Sequence, residues 1–201
     1  MKLIFISGPS GSGKTTLSNK ILLKIKNGIV LSTDNYYKTG IISKLLSKFI
    51  KGYFDRNISF NYKLFKKDFN FIVKNGISVK ERSYNFKDKT IINFFKDINN
   101  IKFLIVEGIF AKDFTRTLGK QKLFLLELKT NKNECLNRVV KRDCKERGKE
   151  KKQAKNDFLE SWEIYYSKSK NKSIKINRNE IIITKKTNID KLLRKIFNWY
   201  F

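Results

Sequence analysis

Gly8-Pro9-Ser10-Gly11-Ser12-Gly13-Lys14-Thr15 is the stretch that decides the fold of this chain. It reads G-x-x-x-x-G-K-[ST], the spacing of a phosphate-binding loop. An apolar run, Leu3-Ile4-Phe5-Ile6, precedes it, and Leu17, Ile21, Leu22 and Ile25 follow at helical spacing. Strand, glycine loop and helix in that order give the motif its structural context. Glycines let the backbone curl so that successive N–H groups converge on phosphate oxygens. The helix start adds its positive dipole end. Gly8 through Thr16 is thus the expected nucleotide-binding segment, with Lys14 reaching the β and γ phosphates and the Thr15 hydroxyl holding Mg²⁺.

Outward from the loop, strands and helices alternate. Gly28-Ile29-Val30-Leu31-Ser32 reads as a second strand, Ile101–Val106 as a third, Leu123–Leu128 as a fourth and Ile181–Ile183 as a fifth. A closing helix carries Ile189, Leu192, Leu193 and Ile196. The expectation is an α/β fold, a doubly wound parallel five-stranded sheet with a helical lid. In such sheets ligands bind at the carboxyl ends of the strands. Two carboxylates fall there. Asp34, after the second strand, is placed to take or orient the proton of an attacking hydroxyl, with helix capping as the structural alternative. Glu107, after the third, is placed to hold Mg²⁺ directly or through water.

Between the second and third strands, Ile41, Ile42, Leu45, Leu46 and Phe49 share one face of a helix, and residues 61–73 form another amphipathic helix ending at Asn75-Gly76. Asp55, in a polar irregular stretch, is a candidate ligand for substrate hydroxyls. Residues 77–86 alternate as a strand or hairpin edge that puts Tyr84 and Phe86 on one face, for base stacking or core packing alike. Residues 55–61 and 87–100 carry no clear pattern. Residues 133–155 hold Arg138, Lys141, Arg142, Lys145, Arg147, Lys149, Lys151 and Lys152, with Gly148 breaking a helical pattern. A basic segment with a glycine hinge suits a lid closing over a transferred phosphoryl group.

Composition narrows the function classes. With 201 residues the chain is expected to form one domain, the lid at about 138–155 and an acceptor-binding insertion at about 52–100. No apolar run approaches the ~20 residues of a membrane span. The chain opens on a strand without the pattern of a signal peptide, and Cys135 and Cys144 match no metal or redox spacing, so a cytoplasmic, reduced protein is expected. The net charge is +27, but the lysines are spread along the whole chain. That reads as solvated surface in a Lys-, Asn-, Ile- and Phe-rich composition, with nucleic acid not the expected partner.

Taken together, several pieces resemble the uridine–cytidine kinases of the P-loop kinase class: Gly8–Thr16, Leu31-Ser32-Thr33-Asp34-Asn35-Tyr36-Tyr37, Phe54-Asp55, Tyr84-Asn85-Phe86, Val106-Glu107-Gly108-Ile109, and Arg142-Asp143 through Glu146-Arg147-Gly148. The resemblance implies ATP- or GTP-dependent, Mg²⁺-assisted phosphorylation of the 5′-hydroxyl of uridine or cytidine, often by a homo-oligomer. It implies that Asp34 orients the hydroxyl, that Lys14, Arg142 and Arg147 stabilise the phosphates, and that Thr15 and Glu107 serve the metal. Asp55 would bind ribose hydroxyls, and Tyr37, Tyr84 and Phe86 would line the nucleoside pocket. Three positions depart from the family pattern. Lys89 stands where the family has a histidine on the pyrimidine. Arg138-Val139 stands where it has two arginines, and Lys149 replaces an arginine. These departures leave two alternatives open: a kinase acting on another hydroxylated, anionic metabolite, and a catalytically weak nucleotide-binding protein with an RNA-binding surface.

Overall fold

The computed structural model describes residues 1–50, 52–86, 88–118, 121–169, 178–184 and 186–200. In chain order the strands are β1 (Lys2–Ser7), β2 (Gly28–Ser32), β3 (Ser78–Asn85), β4 (Thr90–Ile98), β5 (Phe103–Gly108), β6 (Leu123–Leu128) and β7 (Arg178–Ile183). The helices are α1 (Lys14–Lys24), α2 (Ile41–Phe49), α3 (Tyr62–Asn75), α4 (Ala111–Phe114), α5 (Lys132–Arg147), α6 (Lys151–Ser169) and α7 (Ile189–Tyr200).

Five strands form one parallel sheet in the order β2-β5-β1-β6-β7, and β3 pairs with β4 as a separate antiparallel hairpin. The parallel, doubly wound sheet is the expected one. Its central strands are apolar on both faces because helices cover both. Alternation along β1 sends Leu3 and Phe5 to one side with Phe65, Phe69 and Ile72 of α3. Ile4 and Ile6 go to the other, with Leu17 and Ile21 of α1 and Leu192 and Ile196 of α7.

Register sets the site. Ser7 pairs with Gly108 and Glu127, and Ser32 pairs with Glu107. The carboxyl ends of β1, β2, β5 and β6 are therefore level, and the loops leaving them share one rim. Helix ends are set by local chemistry. The Asn61 side chain accepts from the Leu64 N–H at the start of α3, and α5 starts at Asn131 in the same way. Gly76 and Gly148, both left-handed, end α3 and α5.

Two segments differ from what periodicity suggests. The stretch without a clear pattern after Phe86 contributes β4, whose Ile92, Phe94 and Phe95 are exposed, so no single buried face marks it. The apolar face of α2 points outward: Ile41, Ile42, Leu45 and Phe49 are exposed. Its serines face the body instead, Ser43 against the Tyr53 hydroxyl at 3.2 Å and Ser47 against Lys89.

Candidate active site

A cleft of about 880 Å³ opens at the rim of the sheet, between the phosphate loop and the hairpin. The phosphate loop forms its floor. Gly11 has φ +77, and a Cβ there would stand 2.6 Å from the carbonyl oxygen of Cys135, so only glycine lets the loop pack on α5. From α5, Arg138 donates to the Gly11 carbonyl at 3.1 Å. Lys14 is buried, and its ammonium donates to the Pro9 carbonyl at 3.0 Å. Burial lowers its pKa, against the pull of Glu107 and Asp34.

The Thr15 hydroxyl donates to Glu107 at 3.5 Å. Glu107 closes β5 and is nearly fully buried, and desolvation raises its pKa against Lys14. Gly108, next along, permits a close approach: a Cβ there would lie 1.7 Å from the Thr33 hydroxyl oxygen. That contact brings the turn Thr33–Tyr36 against the end of β5 and places Asp34 beside Lys14. Asp34 lies inside this turn, whose N-cap position is Ser32, so it is not the capping residue. Its Oδ1 is buried and has no hydrogen-bond partner among the described residues. Burial raises its pKa, opposed by Lys14, then Arg147 and Arg142. A carboxylate poised among cations with an unclaimed acceptor atom can receive a hydroxyl proton.

The residues present fit a nucleoside triphosphate with a divalent cation. Lys14 and the loop N–H groups suit the phosphates, and Thr15 with Glu107 makes an oxygen donor pair suited to Mg²⁺. Among the described residues no cluster of three or more His, Cys, Asp or Glu could hold a metal by itself, so phosphate oxygens and water would complete the shell.

The basic segment folds as nearly all of α5, the turn at Gly148 and the start of α6. Three of its cations gather on one buried carboxylate that sequence reasoning left without a role. Arg142 meets Asp143 at 2.9 Å and 2.7 Å through its Nε and Nη2, Arg147 at 3.4 Å, and Lys149 at 3.7 Å. Lys149 also reaches Asp157 on α6 at 2.7 Å. Arg147 stands over the Phe86 ring, 3.9 Å from its centroid.

The far wall is aromatic. Tyr37 is buried, stacked on Phe60 at 4.5 Å and 5.0 Å from Tyr84, whose ring lies 5.0 Å from Phe86. The Tyr84 N–H donates to the Asn35 side chain at 3.0 Å, which ties the hairpin to the Asp34 turn. Lys89 lines the cleft here, 5.2 Å from the Phe54 ring centroid and donating to Ser47 at 3.2 Å. Val139, the second departure from the family pattern, is buried with Cys135 and Phe158 beneath the loop. Asp55 accepts from Ser161 at 2.7 Å, and burial raises its pKa to about 6, with the Ser161 bond opposing and Glu160 adding. Every residue given a catalytic, phosphate, metal or acceptor role from the sequence, apart from Gly8, Pro9 and Ser12 of the loop itself, lines this one cleft, whereas Lys141, Lys145, Lys151 and Lys152 of the basic segment do not. Ser161 and Glu160 were not legible, because their partners are set by tertiary contact, while Asp143 was passed over although Arg142, Arg147 and Lys149 lie within six residues of it.

A parallel sheet with a phosphate loop, two rim carboxylates and a basic segment after the fourth strand of the sheet defines a nucleotide-binding P-loop kinase, a phosphotransferase. Residues 3–169 match the Phosphoribulokinase / Uridine kinase family, and the chain belongs to that family. It is similar to the uridine kinase of Ureaplasma parvum serovar 3, 33% identical over 153 residues that cover 73% of this chain and 71% of that one. Among solved structures, D-glycerate 3-kinase from Cryptococcus neoformans superposes with a TM-score of 0.65 at 12% identity, covering 91% of this chain and 86% of that one. Deoxyadenosine kinase from M. mycoides gives 0.51 at 12%, covering 100% and 99%. At these identities the two structures attest the fold alone. No helix among the described residues is long and apolar enough to cross a membrane.

Proposed function

We propose that this kinase transfers the γ-phosphoryl group of ATP, or GTP, to the 5′-hydroxyl of uridine or cytidine, in the cytoplasm and with Mg²⁺. The observation that carries the reading is Asp34: a carboxylate with an unclaimed buried oxygen, between Lys14 and an aromatic-walled pocket. The proposed layout is one kinase domain, with a lid at 138–155 and an acceptor-binding part at 52–100.

Asp34 accepts the proton of the attacking hydroxyl and aims its oxygen at the γ-phosphorus. Lys14 and the loop N–H groups hold the β and γ oxygens, and Arg142 and Arg147 meet the charge that develops on the transferred group. Mg²⁺, held by Thr15 and Glu107, would neutralise charge across the β and γ phosphates. Asp55 takes the ribose hydroxyls, and Tyr37, Tyr84 and Phe86 wall the base. The carboxylates Asp55 and Glu160 at this end favour a neutral polyol over an acid.

A second reading, an anionic hydroxylated acceptor, draws its support from Lys89, whose ammonium lines the same pocket beside Ser47 and the Phe54 ring. Coupled ADP release with Mg-ATP separates the two. Turnover on uridine or cytidine supports the first. Silence on both with turnover on an acidic metabolite supports the second. Near-full turnover in Asp34→Asn would overturn the mechanism under either.

A further inference from the structure

The acceptor turn and the helix that follows the lid are fastened together. Asp55 closes the short turn Tyr53–Asp55, and its Oδ1 accepts from the Ser161 hydroxyl at 2.7 Å, across 106 residues of sequence. Gly52 opens the turn with φ +59, and a Cβ there would meet Ile164 Cδ1 at 2.4 Å and Glu160 Oε1 at 3.0 Å. The turn therefore lies flush on α6 at two places within one helical turn, Ser161 and Glu160/Ile164. Nothing in the kinase reaction itself calls for a serine on α6.

We propose that Ser161 is a positioning residue: its hydroxyl fixes the orientation of the Asp55 carboxyl group for binding the acceptor's hydroxyls. The proposal rests on the reading of Asp55 as an acceptor ligand. The geometry gives the reason a donor is needed. Asp55 is faced by Glu160 from α6, by Asp34 from the turn after β2 and by the Tyr37 ring, with Lys149 as the opposing cation. Carboxylates crowded together in a buried place favour the protonated form. A protonated carboxyl group presents one acceptor fewer to a diol. The Ser161 hydroxyl stabilises the charged form, and burial leaves Asp55 titrating at about 6, where modest losses change its charge near neutrality.

The test uses the full chain and three variants, Ser161→Ala, Ser161→Thr and Asp55→Asn. The Asp55 carboxyl titration is followed by carbon-13 NMR of the protein alone, and uridine KM and kcat are measured from pH 5.5 to 8.5 at saturating Mg-ATP. In Ser161→Ala the Asp55 titration moves upward and the acidic limb of 1/KM moves with it. Uridine KM near pH 6.5 rises about tenfold, the loss expected for a hydrogen bond to a charged group, while kcat changes less than about twofold. Ser161→Thr, which keeps the hydroxyl, restores both. An Asp55→Asn variant with raised KM, beside a Ser161→Ala variant whose titration and KM do not move, overturns the proposal alone. An Asp55→Asn variant with unchanged KM removes the acceptor role from Asp55, and the proposal with it.

Discussion

Arg147 at the end of α5 stands over the ring of Phe86 in the turn of the hairpin, its guanidinium carbon 3.9 Å from the ring centroid. A guanidinium on an aromatic face gains about 1 kcal/mol where it is partly desolvated. The contact joins the element proposed to stabilise the phosphoryl group to the element proposed to hold the base. Phe86→Leu and Arg147→Lys are each expected to lower kcat/KM for uridine about fivefold beyond any loss of charge, since lysine lacks the flat face. The double variant should fall short of the sum by about 1 kcal/mol in a double-mutant cycle. Additive losses would make the contact a bystander.

Asp143 gathers Arg142, Arg147 and Lys149. Asp143→Asn keeps the shape and removes the charge, so the cations lose their common anchor. The expected result is kcat down by about tenfold to a hundredfold with ATP affinity less affected. Asp143→Ala should cost about 2 kcal/mol of stability, less than a fully buried pair, because its partners remain partly solvated. Urea unfolding and steady-state kinetics check the two effects separately.

Asp34 carries a pKa raised by burial. Acting as base, it must be ionised, so kcat/KM should climb with pH through a midpoint above the ordinary carboxylate range. Its effect on stability has the opposite sign. A folded-state pKa above the unfolded value means that the folded chain binds the proton more tightly. The associated stability is present below the unfolded pKa and lost as pH rises through the folded one. Asp34→Asn should therefore lose activity by about 10²- to 10⁴-fold and raise the melting temperature of the ligand-free protein at pH 8, with a smaller rise at pH 4. A lower melting temperature at pH 8 would show that Lys14 and the arginines depend on this carboxylate more than burial opposes it.

Lys89 can only donate hydrogen bonds. Uracil presents a carbonyl at the position where cytosine presents an amino donor, so a lysine at the base end of the cleft favours uridine. Lys89→Met is expected to narrow the uridine-to-cytidine ratio of kcat/KM by about tenfold, chiefly through loss on uridine. An unchanged ratio would mean that Lys89 serves only Ser47 and the Phe54 ring.

The sheet and the phosphate loop were legible because their chemistry is local. Leu3–Ile6, the glycines and Lys14 specify a strand, a cradle and a helix start within fifteen residues or so, a range over which propensity and pattern agree. Asp34 and Glu107 followed from one rule, that ligands meet strands at their carboxyl ends. The α2 helix shows where periodicity stops. Ile41, Leu45 and Phe49 do mark one face, but a pattern cannot say which way a face points, and here Ser43 and Ser47 hold the inner side. The β4 strand escaped notice because it is open to solvent on most of its length and carries apolar residues in pairs, which destroys alternation. Asp143 was open to reading, since Arg147 lies four residues on along the same helix, but Ser161 matters through a partner 106 residues away, and no spacing encodes its contact with Asp55.

Helix α6 carries Asp157 and Ser161 on successive turns of one face, the first holding Lys149 of the lid and the second holding Asp55 of the acceptor turn. On the proposed assignment, ATP held from the Lys149 side and an acceptor held at Asp55 would both bear on this one helix. Energy spent or gained in moving that helix would be common to them, which makes their affinities reciprocal: whatever factor ATP imposes on the dissociation constant of the acceptor, the acceptor must impose on that of ATP. A kinase arranged in the proposed way would sense one substrate in its grip on the other, and with the acceptor pocket empty its Lys149 side would have less reason to close on ATP and water.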